Sequence, residues 1–311
     1  MFVNFVQRRR LYYLISSAII LPGVAAMIYS TIVFGSPVRL SIDFRGGSLY
    51  VVKFEEPASE TAIREVYTDL GQDDPIVQQL GDPTDNVWQI RAGALTADEQ
   101  TQLISELEQK VAPIDANLST LDVVAPAIGS EVTRAAIFAT LAAGIIILGF
   151  IWFAFRKVPH AVRYGATAIA AMVHDILVTM GIMSILGIAF GWEVDALFLT
   201  AMLTVVGYSV QDSIVVFDRI RENLPRYRHE DYETVINRSV LETIHRSLAT
   251  QLNAVFVMVA ILLFGGATIK QFIAIMLIGL TSGTYSSLFN AVPLLVSWEK
   301  GELPFTRQAT A

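Results

Sequence analysis

Six long apolar runs restrict the fold of this chain more than any other feature. Each is long enough to cross about 30 Å of hydrocarbon as an α-helix. The runs are Leu11–Phe34, Val132–Phe155, Val162–Ile188, Ala196–Phe217, Leu248–Phe264 and Ile269–Val296. Only 16% of the 311 residues are charged, whereas soluble domains carry about 25%. The sequence therefore predicts a polytopic α-helical membrane protein with six transmembrane helices.

The first run follows the basic segment Arg8-Arg9-Arg10, as in a secretory signal peptide. The run is too long for such a peptide, and no small-x-small cleavage pattern follows it before Arg39. We therefore interpret Leu11–Phe34 as an uncleaved first span.

Residues 36–130 differ in character from the apolar runs on either side. Strand-like alternation and helix-like spacing predict two strands, a helix, two strands, a helix and a last strand. These elements are Val38–Phe44, Ser48–Phe54, Ala58–Leu70, Pro75–Leu80, Val87–Arg91, Thr96–Lys110 and Leu118–Val124. The order fits an α+β domain of split βαβ (ferredoxin-like) type. The predicted divisions are a terminus with the first span at 1–35, this domain at 36–130, five spans at 131–298 and a tail at 299–311.

Basic residues predict the orientation of the spans, because cytoplasmic loops carry an excess of Lys and Arg. One set of ends and loops holds Arg8, Arg9, Arg10, Arg156, Lys157, Arg163, Arg219, Arg221, Arg226, Arg228, Arg238, Lys300 and Arg307. The alternate short loops hold Glu193, Asp195 and Lys270. We therefore expect both termini to be cytoplasmic and the α+β domain to be extracytoplasmic.

Asp212 is the leading candidate for a functional residue. It lies about 24 Å along the fourth span if that helix starts at Ala196, at 1.5 Å per residue. A carboxylate at that depth costs about 2.5–3.5 kcal/mol on insertion scales unless it finds a partner inside the bundle. Thr204 and Tyr208 precede it at intervals of four residues, so the three share one helix face. This face predicts a polar stripe.

Arg246 opens the fifth span at about the depth of Asp212, and Thr250 and Asn253 continue its face. An ion pair between Arg246 and Asp212 would lower the burial cost of both charges. The alternative is that the Arg246 side chain reaches the headgroups and binds lipid phosphate. Spacing alone does not separate the two interpretations.

Asp175 lies near the centre of the third span, next to His174. Removal from water favours the neutral form of a carboxyl group, so a proton-binding role is one interpretation. A structural, hydrogen-bonded carboxylic acid is the other. Because adjacent helical residues do not share a face, we expect no proton relay between His174 and Asp175.

Several classes of function are disfavoured. No glycine segment matches a nucleotide-binding loop, and the four histidines show no metal-binding spacing. The absence of cysteine excludes disulfides and thiolate metal sites. Buried ionisable groups without a nucleotide site favour coupling to an ion gradient. In this hypothesis the Asp212 carboxyl binds a proton, weakens its hold on Arg246 and lets the helices repack.

Five segments resemble the SecD/SecF family of export proteins. They are Ser41–Gly47 (SIDFRGG), Ile128–Val132, His174-Asp175, Gly207–Asn223 (GYSVQDSIVVFDRIREN) and Arg246–Thr250. The resemblance runs from the first span to the sixth. It departs from the family only in details, such as Ser247 where threonine is frequent.

The resemblance implies a SecF-type subunit in the bacterial cytoplasmic membrane that uses the proton-motive force to assist export of unfolded polypeptides. It also implies a six-span SecD-like partner completing a transporter of the resistance-nodulation-division superfamily, the SecYEG channel, and YajC as a further partner. No enzymatic activity, cofactor or nucleic acid is implied, and the sequence does not distinguish protons from sodium ions. We predict that Asp212, Arg246 and Asp175 carry out proton coupling. Tyr208, Ser209, Thr250 and Asn253 are predicted to form the polar stripe that supports them. Asp43, Gly46 and Gly47 form the signature of the outer domain, where Asp43 is expected at a strand edge in a structural or coupling role.

Two other functions remain open on the sequence. One is a half-size proton-driven exporter of lipids or small hydrophobic compounds, which would also use a buried aspartate. The other is a non-transporting assembly scaffold, in which the polar stripe only holds helices together. The short, acidic outer domain argues against the exporter, since drug pumps carry much larger insertions.

Overall fold

The computed structural model describes residues 4–72, 75–156 and 160–303. They form two compact units, of which one, the sheet unit, is Leu40–Ile137. The rest of the described chain forms the helical unit. The predicted domain limits of 36–130 thus differ from the limits of the sheet unit by a few residues at each end.

The chain alternates helices and strands in its first third and is helical afterwards. The helices are α1 (Arg9–Phe34), α2 (Ile42–Arg45), α3 (Glu60–Asp69), α4 (Ala97–Lys110), α5 (Pro126–Phe155), α6 (Ala161–Phe190), α7 (Ala196–Arg226), α8 (Tyr232–Phe264), α9 (Ala267–Ser286) and α10 (Val292–Glu299). The strands are β1 (Gly47–Lys53), β2 (Ile76–Leu80), β3 (Val87–Ala92) and β4 (Thr120–Val124). A π-helical turn, Ser287–Ala291, joins α9 to α10.

Within the described residues, six helical segments are long and apolar enough to cross a membrane. They correspond to α1, α5, α6, α7, α8 and the continuous segment from α9 to α10. The predicted six-span membrane protein is therefore confirmed. Two helices exceed their apolar runs by the most residues: α7 continues past Phe217 to Arg226, and α8 begins at Tyr232 rather than at Leu248. The first turns of α8 bury Val235, Ile236 and Val240 beside polar residues, so packing extends the helix beyond its hydrophobic stretch.

Small residues let the helices of the helical unit approach closely. A Cβ added to Gly23 of α1 would lie 2.8 Å from the Cα of Gly181 in α6. A Cβ added to Gly279 of α9 would lie 2.3 Å from Val205 Cγ2 of α7. Such contacts are typical of membrane helices, whose association depends on packing rather than on burial from water. The spacing of Gly279 and Gly283, a GxxxG pattern, predicts close helix packing, and both glycines contact α7.

Ion pairs gather at one end of the helical unit, which we call the terminal side because α1 begins and α10 ends there. Glu233, which is largely buried, accepts hydrogen bonds from Arg9 and Lys300. Arg163 pairs with Glu299 in the same region. These contacts join the first turns of α1, α6 and α8 to the last turn of α10.

The sheet unit has the predicted ferredoxin-like architecture. Its four strands are antiparallel in the order β2-β3-β1-β4, with α3 and α4 between them in the chain. Apolar residues from one sheet face and from both helices form its core. Helix α4 begins with the predicted capping box, in which Thr96 and Glu99 satisfy each other's backbone N–H groups.

The predicted strand Val38–Phe44 is wrong. Its alternation of apolar and polar residues resembles a strand, but Ile42–Arg45 forms the short helix α2. The Ser41 hydroxyl accepts a hydrogen bond from Asp43 N at the start of α2, and Gly46 N donates to Ile42 O at its end. Asp43 therefore lies in a helical turn and not at a strand edge.

The two glycines that follow α2 are required by backbone geometry. Gly46 and Gly47 have φ angles of 76° and 128°, a region that other residues rarely adopt. A Cβ on Gly47 would lie 2.7 Å from the carbonyl oxygen of Ala92 in β3. A Cβ on Gly129, near the start of α5, would lie 2.8 Å from Gly46 N. The segment from α2 to β1 is thus packed tightly on both sides within the sheet unit.

Replacing Gly47 by alanine should destabilise the sheet unit more than replacing Gly71. Both residues have positive φ, which costs about 1–2 kcal/mol for a residue with a Cβ. Only Gly47 also meets a backbone oxygen, which adds about 1–3 kcal/mol of overpacking. Hydrogen exchange of β1 and β3 amides in the full chain measures the difference. Equal protection in G47A and G71A would contradict the role given to the close approach.

Candidate functional site

Two buried carboxyl groups of the helical unit lie away from the ion pairs of the terminal side, on neighbouring helices. Asp212 of α7 is 5% exposed and Asp175 of α6 is 0% exposed. Both lie in segments long and apolar enough to span a membrane. Buried carboxyl groups require hydrogen-bond partners or opposite charges. The partners of each therefore define the candidate site.

Asp212 is held by α8 through an uncharged side chain. Gln251 Nε2 donates a hydrogen bond of 2.6 Å to Asp212 Oδ2. The hydroxyl of Ser247, also buried, lies beside the same carboxyl group. Ser247 and Gln251 are four residues apart, so both project from one face of α8 towards α7. This face of α8 provides the polar surroundings of Asp212.

Arg246 does not pair with Asp212 in this structure. Among the described residues the two side chains share no ion pair, and Arg246 is exposed on α8. One residue corresponds to about 100° of rotation around a helix. Arg246 is therefore turned away from the face that carries Ser247. The predicted ion pair between Arg246 and Asp212 is therefore wrong for this conformation. Gln251 occupies the position beside Asp212 that was expected for Arg246.

Three serine hydroxyls from two helices surround Asp175. Ser209 of α7 donates to Oδ2 at 2.5 Å, and Ser286 of α9 donates to the same oxygen at 2.6 Å. Ser282 of α9 donates to Oδ1 at 2.6 Å. We call these three residues the serine cradle. It links α6, α7 and α9 through a single carboxyl group.

His174 also contacts Asp175. Its Nδ1 lies 3.1 Å from Asp175 Oδ1. The two side chains therefore meet although adjacent residues do not share a helix face, which was the reason for expecting no proton relay between them. Their Cβ atoms point to different faces, but the imidazole ring is long enough to bring Nδ1 back to the short aspartate side chain.

The close approach of α7 and α9 makes the serine cradle possible. Gly283 lies between Ser282 and Ser286 along α9, where an added Cβ would meet Ser209 Cβ at 3.2 Å and Asp175 Oδ2 at 3.6 Å. A side chain at this position would separate Ser209 from the carboxyl group. Gly283 therefore sets the distance at which the hydroxyls reach Asp175.

The other predicted site residues occupy different surroundings. Tyr208 is half-buried against the apolar residues between α8 and α9. Thr250 and Asn253 are exposed on α8, on the same side as Arg246. Asp43, Gly46 and Gly47 belong to the sheet unit and are described with it above. Of the predicted supporting residues, Ser209 alone hydrogen-bonds to one of the two buried carboxyl groups within the described chain.

Residue spacing did not identify Gln251 and Ser282. The signal for Gln251 was available, because Ser247 and Gln251 form an i, i+4 polar pair like that of Arg246 and Thr250. The charge of Arg246 favoured the other face. Ser282 lies inside the Gly279–Gly283 segment, which indicated only close packing. Among the described residues, no group of three or more His, Asp or Glu side chains is placed to hold a metal ion.

Two family models match the chain. The model for the protein export membrane protein SecD/SecF, C-terminal, matches residues 104–301. The model for the SecD/SecF GG motif matches residues 31–58, which include Gly46 and Gly47. The chain belongs to the SecD/SecF family. The predicted family and its role in Sec protein export are confirmed.

Relatives place the chain on the SecF side of this family, and a solved SecDF structure shares its fold. Proteins named protein translocase subunit SecF from Anaerolinea thermophila and Thermobaculum terrenum are 44% and 42% identical. The alignments cover 96% of this chain and 95% and 94% of those proteins. The crystal structure of SecDF from Thermus thermophilus, a translocon-associated membrane protein, matches with a TM-score of 0.79 and 30% identity. It covers 96% of this chain but 39% of the SecDF chain, so this chain corresponds to one part of the SecDF protein.

Gln251 should contribute to stability through Asp212. Replacing Gln251 by leucine leaves the buried carboxyl group without its 2.6 Å donor, at a cost of about 1–3 kcal/mol. The double variant D212L/Q251L should cost less than the sum of the single variants, because each leucine removes one partner of the same hydrogen bond. Thermal unfolding of the purified full chain measures each free energy.

The matched control is T250V, which alters an exposed residue one position away and should change stability by less than about 0.5 kcal/mol. Strict additivity in the D212L/Q251L cycle would show that the hydrogen bond makes no contribution.

Proposed function

We propose that this chain is the proton-binding half of a SecD–SecF unit that drives protein export with the proton-motive force. The observation that carries the proposal is Asp212, a buried carboxyl group in a span whose partner is a neutral amide. A carboxyl group in such surroundings binds and releases a proton with a large change in its interactions. The change in charge is the event that couples ion flow to helix movement.

The observed contacts fit the proton-bound state of Asp212. A buried carboxylate without a cation is costly, whereas a neutral carboxyl group with a hydrogen bond is tolerated. Arg246 lies on the adjoining face of α8, one residue from Ser247. Loss of the proton would favour a rotation of α8 that exchanges Gln251 for Arg246 beside Asp212. We propose that this exchange is the conformational step.

Asp175 is the second proton-coupling residue in this proposal. Ser209 and Asp212 are three residues apart on α7, and Ser209 bonds to Asp175. A displacement of α7 at Asp212 therefore changes the serine cradle of Asp175. The cradle gives the helix movement a route to α6 and α9.

The partner in this proposal is a SecD-like protein, as the fused SecDF structures and the SecF relatives indicate. Arg246, Thr250 and Asn253 present polar groups outward from a membrane span. Polar groups in a span favour contact with another helix over contact with lipid. We assign this face of α8 to the SecD-like partner. The SecYEG channel and YajC complete the proposed assembly, and the substrate is an unfolded exported polypeptide.

The proposed orientation places the terminal side in the cytoplasm and the sheet unit outside the cytoplasmic membrane. Arg9, Arg163, Arg226 and Lys300 lie at helix ends on the terminal side, whereas the loop after α6 carries Glu193 and Asp195. Basic residues are retained on the cytoplasmic side.

D212N should abolish the gradient-dependent part of export. Asparagine keeps the size and a hydrogen-bonding group but does not bind and release a proton at this site. In vesicles containing the SecD partner and the channel, export should fall to the level seen without a proton gradient. The matched control is D218N on the same helix, since Asp218 forms an exposed ion pair with Arg221.

The outcomes separate the candidate functions. If D212N exported protein at the wild-type rate, proton coupling by Asp212 would be contradicted, and the assembly scaffold would be the favoured function. If export by the wild-type protein depended on a sodium gradient, Asp212 would keep its proposed role, but the coupling ion would be sodium and not the proton.

Cysteine cross-linking tests the partner face, because the chain has no native cysteine. N253C should cross-link to the SecD partner in membranes. L248C, about 140° away around α8, should not. Cross-linking from Leu248 and not from Asn253 would show that the partner covers another face.

A further inference from the structure

An apolar cleft opens between α1, α6 and α9, on a different side of α6 from its contact with α7. Its volume is about 520 Å³, within the range of about 300–1,000 Å³ typical of small-molecule sites. The walls are lined by aliphatic side chains from three helices, namely Ile19, Val178, Ile182, Leu277 and Ile278. The composition suits a hydrocarbon chain or ring.

One polar atom of the cleft wall lacks a partner. His174 lines the cleft, is 8% exposed, and uses Nδ1 to contact Asp175. Its Nε2, on the far side of the ring, is buried and has no hydrogen-bond partner within the described chain. The other polar residues of the wall, Thr281, Ser282 and Tyr285, each donate a hydrogen bond within the protein. Among the polar residues that line the cleft, His174 is therefore the one with an unused hydrogen-bonding atom.

The depth of His174 restricts what this molecule is. His174 is about 20 Å from the start of α6, which has a length of about 45 Å, so it lies near the middle of the span. A phospholipid headgroup does not reach this depth, and a charged group there carries a cost of several kcal/mol. A hydroxyl group is neutral and both donates and accepts, so it pairs with Nε2 in either protonation state of the imidazole.

We propose that this cleft binds a neutral hydrophobic molecule bearing one hydroxyl group, with the hydroxyl on His174 Nε2 and the hydrocarbon between α1, α6 and α9. The class includes long-chain and polycyclic alcohols dissolved in the membrane interior. The site is separate from the face assigned to the SecD-like partner, and binding at it requires no proton transfer by Asp212.

A photoreactive dodecanol tests the proposal on the full chain with its SecD partner in lipid nanodiscs. The probe should label residues of α1, α6 and α9 saturably, and unlabelled dodecanol should compete for it. Dodecane of the same length should compete about fivefold less well, because it lacks one hydrogen bond to a buried group. Equal competition by the two compounds would show a groove for lipid chains, or a nitrogen satisfied by water, and would overturn the proposal.

Variants locate the interaction on His174. H174F keeps an aromatic ring without nitrogen, so the preference for alcohol over alkane should disappear. V173F adds a ring one residue away, on an exposed part of α6, and should keep the preference. I182W fills the cleft and should abolish labelling by the probe, and it serves where H174F fails to fold. Retained preference in H174F, or retained labelling in I182W, would refute the site. Because the readout is binding, these results are independent of whether D212N retains export.

Discussion

The structure depends on the constraint that a carboxyl group buried within a membrane bundle must be hydrogen-bonded by its neighbours. Asp175 meets this constraint with three serines and a histidine, and these partners come from α6, α7 and α9. The requirement explains why small residues recur where these helices meet. Gly279 and Gly283 bring α9 against α7, and only then does Ser209 reach Asp175. The close packing of the helices and the polar contacts inside the bundle therefore depend on each other.

Asp212 shows a sparser solution to the same constraint. It receives one described hydrogen bond from Gln251, with Ser247 nearby, whereas Asp175 receives several. A carboxyl group with many donors from three helices is held in place. One with a single flexible donor from one helix retains freedom to change partners. This contrast favours Asp212 as the group that switches and Asp175 as the group that responds.

Helix α7 connects the two carboxyl groups mechanically. It carries Asp212 towards α8 and Ser209 towards Asp175, within a single helical turn. Because an α-helix is stiff along its axis, movement of one of these positions displaces the other. The π-helical turn at Ser287–Ala291 follows directly after Ser286, the last member of the serine cradle. Turns of this kind are frequent at functional sites, and this one gives α9 a local irregularity beside the carboxyl group.

Much of this arrangement followed from sequence, and the exceptions have a common cause. Spans were predictable because hydrocarbon selects length and apolarity, and the ferredoxin-like order followed from element periodicity. Asp175 and Asp212 stood out because charge is rare in a span. The partners of these residues were not predictable, since they depend on helix rotation. On α8 the predicted face, with Arg246 and Thr250, is one residue away from the face with Ser247 and Gln251 that contacts Asp212. In the sheet unit, the hydrogen bond that Ser41 accepts at the start of α2 goes with a helical turn where the sequence predicted a strand.

The position of Arg246 fits the proposal that a SecD-like partner packs against α8. A guanidinium group exposed on the outer face of α8, followed one and two turns later by Thr250 and Asn253, is costly against lipid. It becomes reasonable if a second six-span half covers this face and supplies acceptors. The charge of Arg246 is then shared between two sites, the partner half on one side and Asp212 on the other. In the proposed mechanism, proton binding at Asp212 decides which of the two sites holds Arg246, and this would link the chemistry of one half to the contact between both.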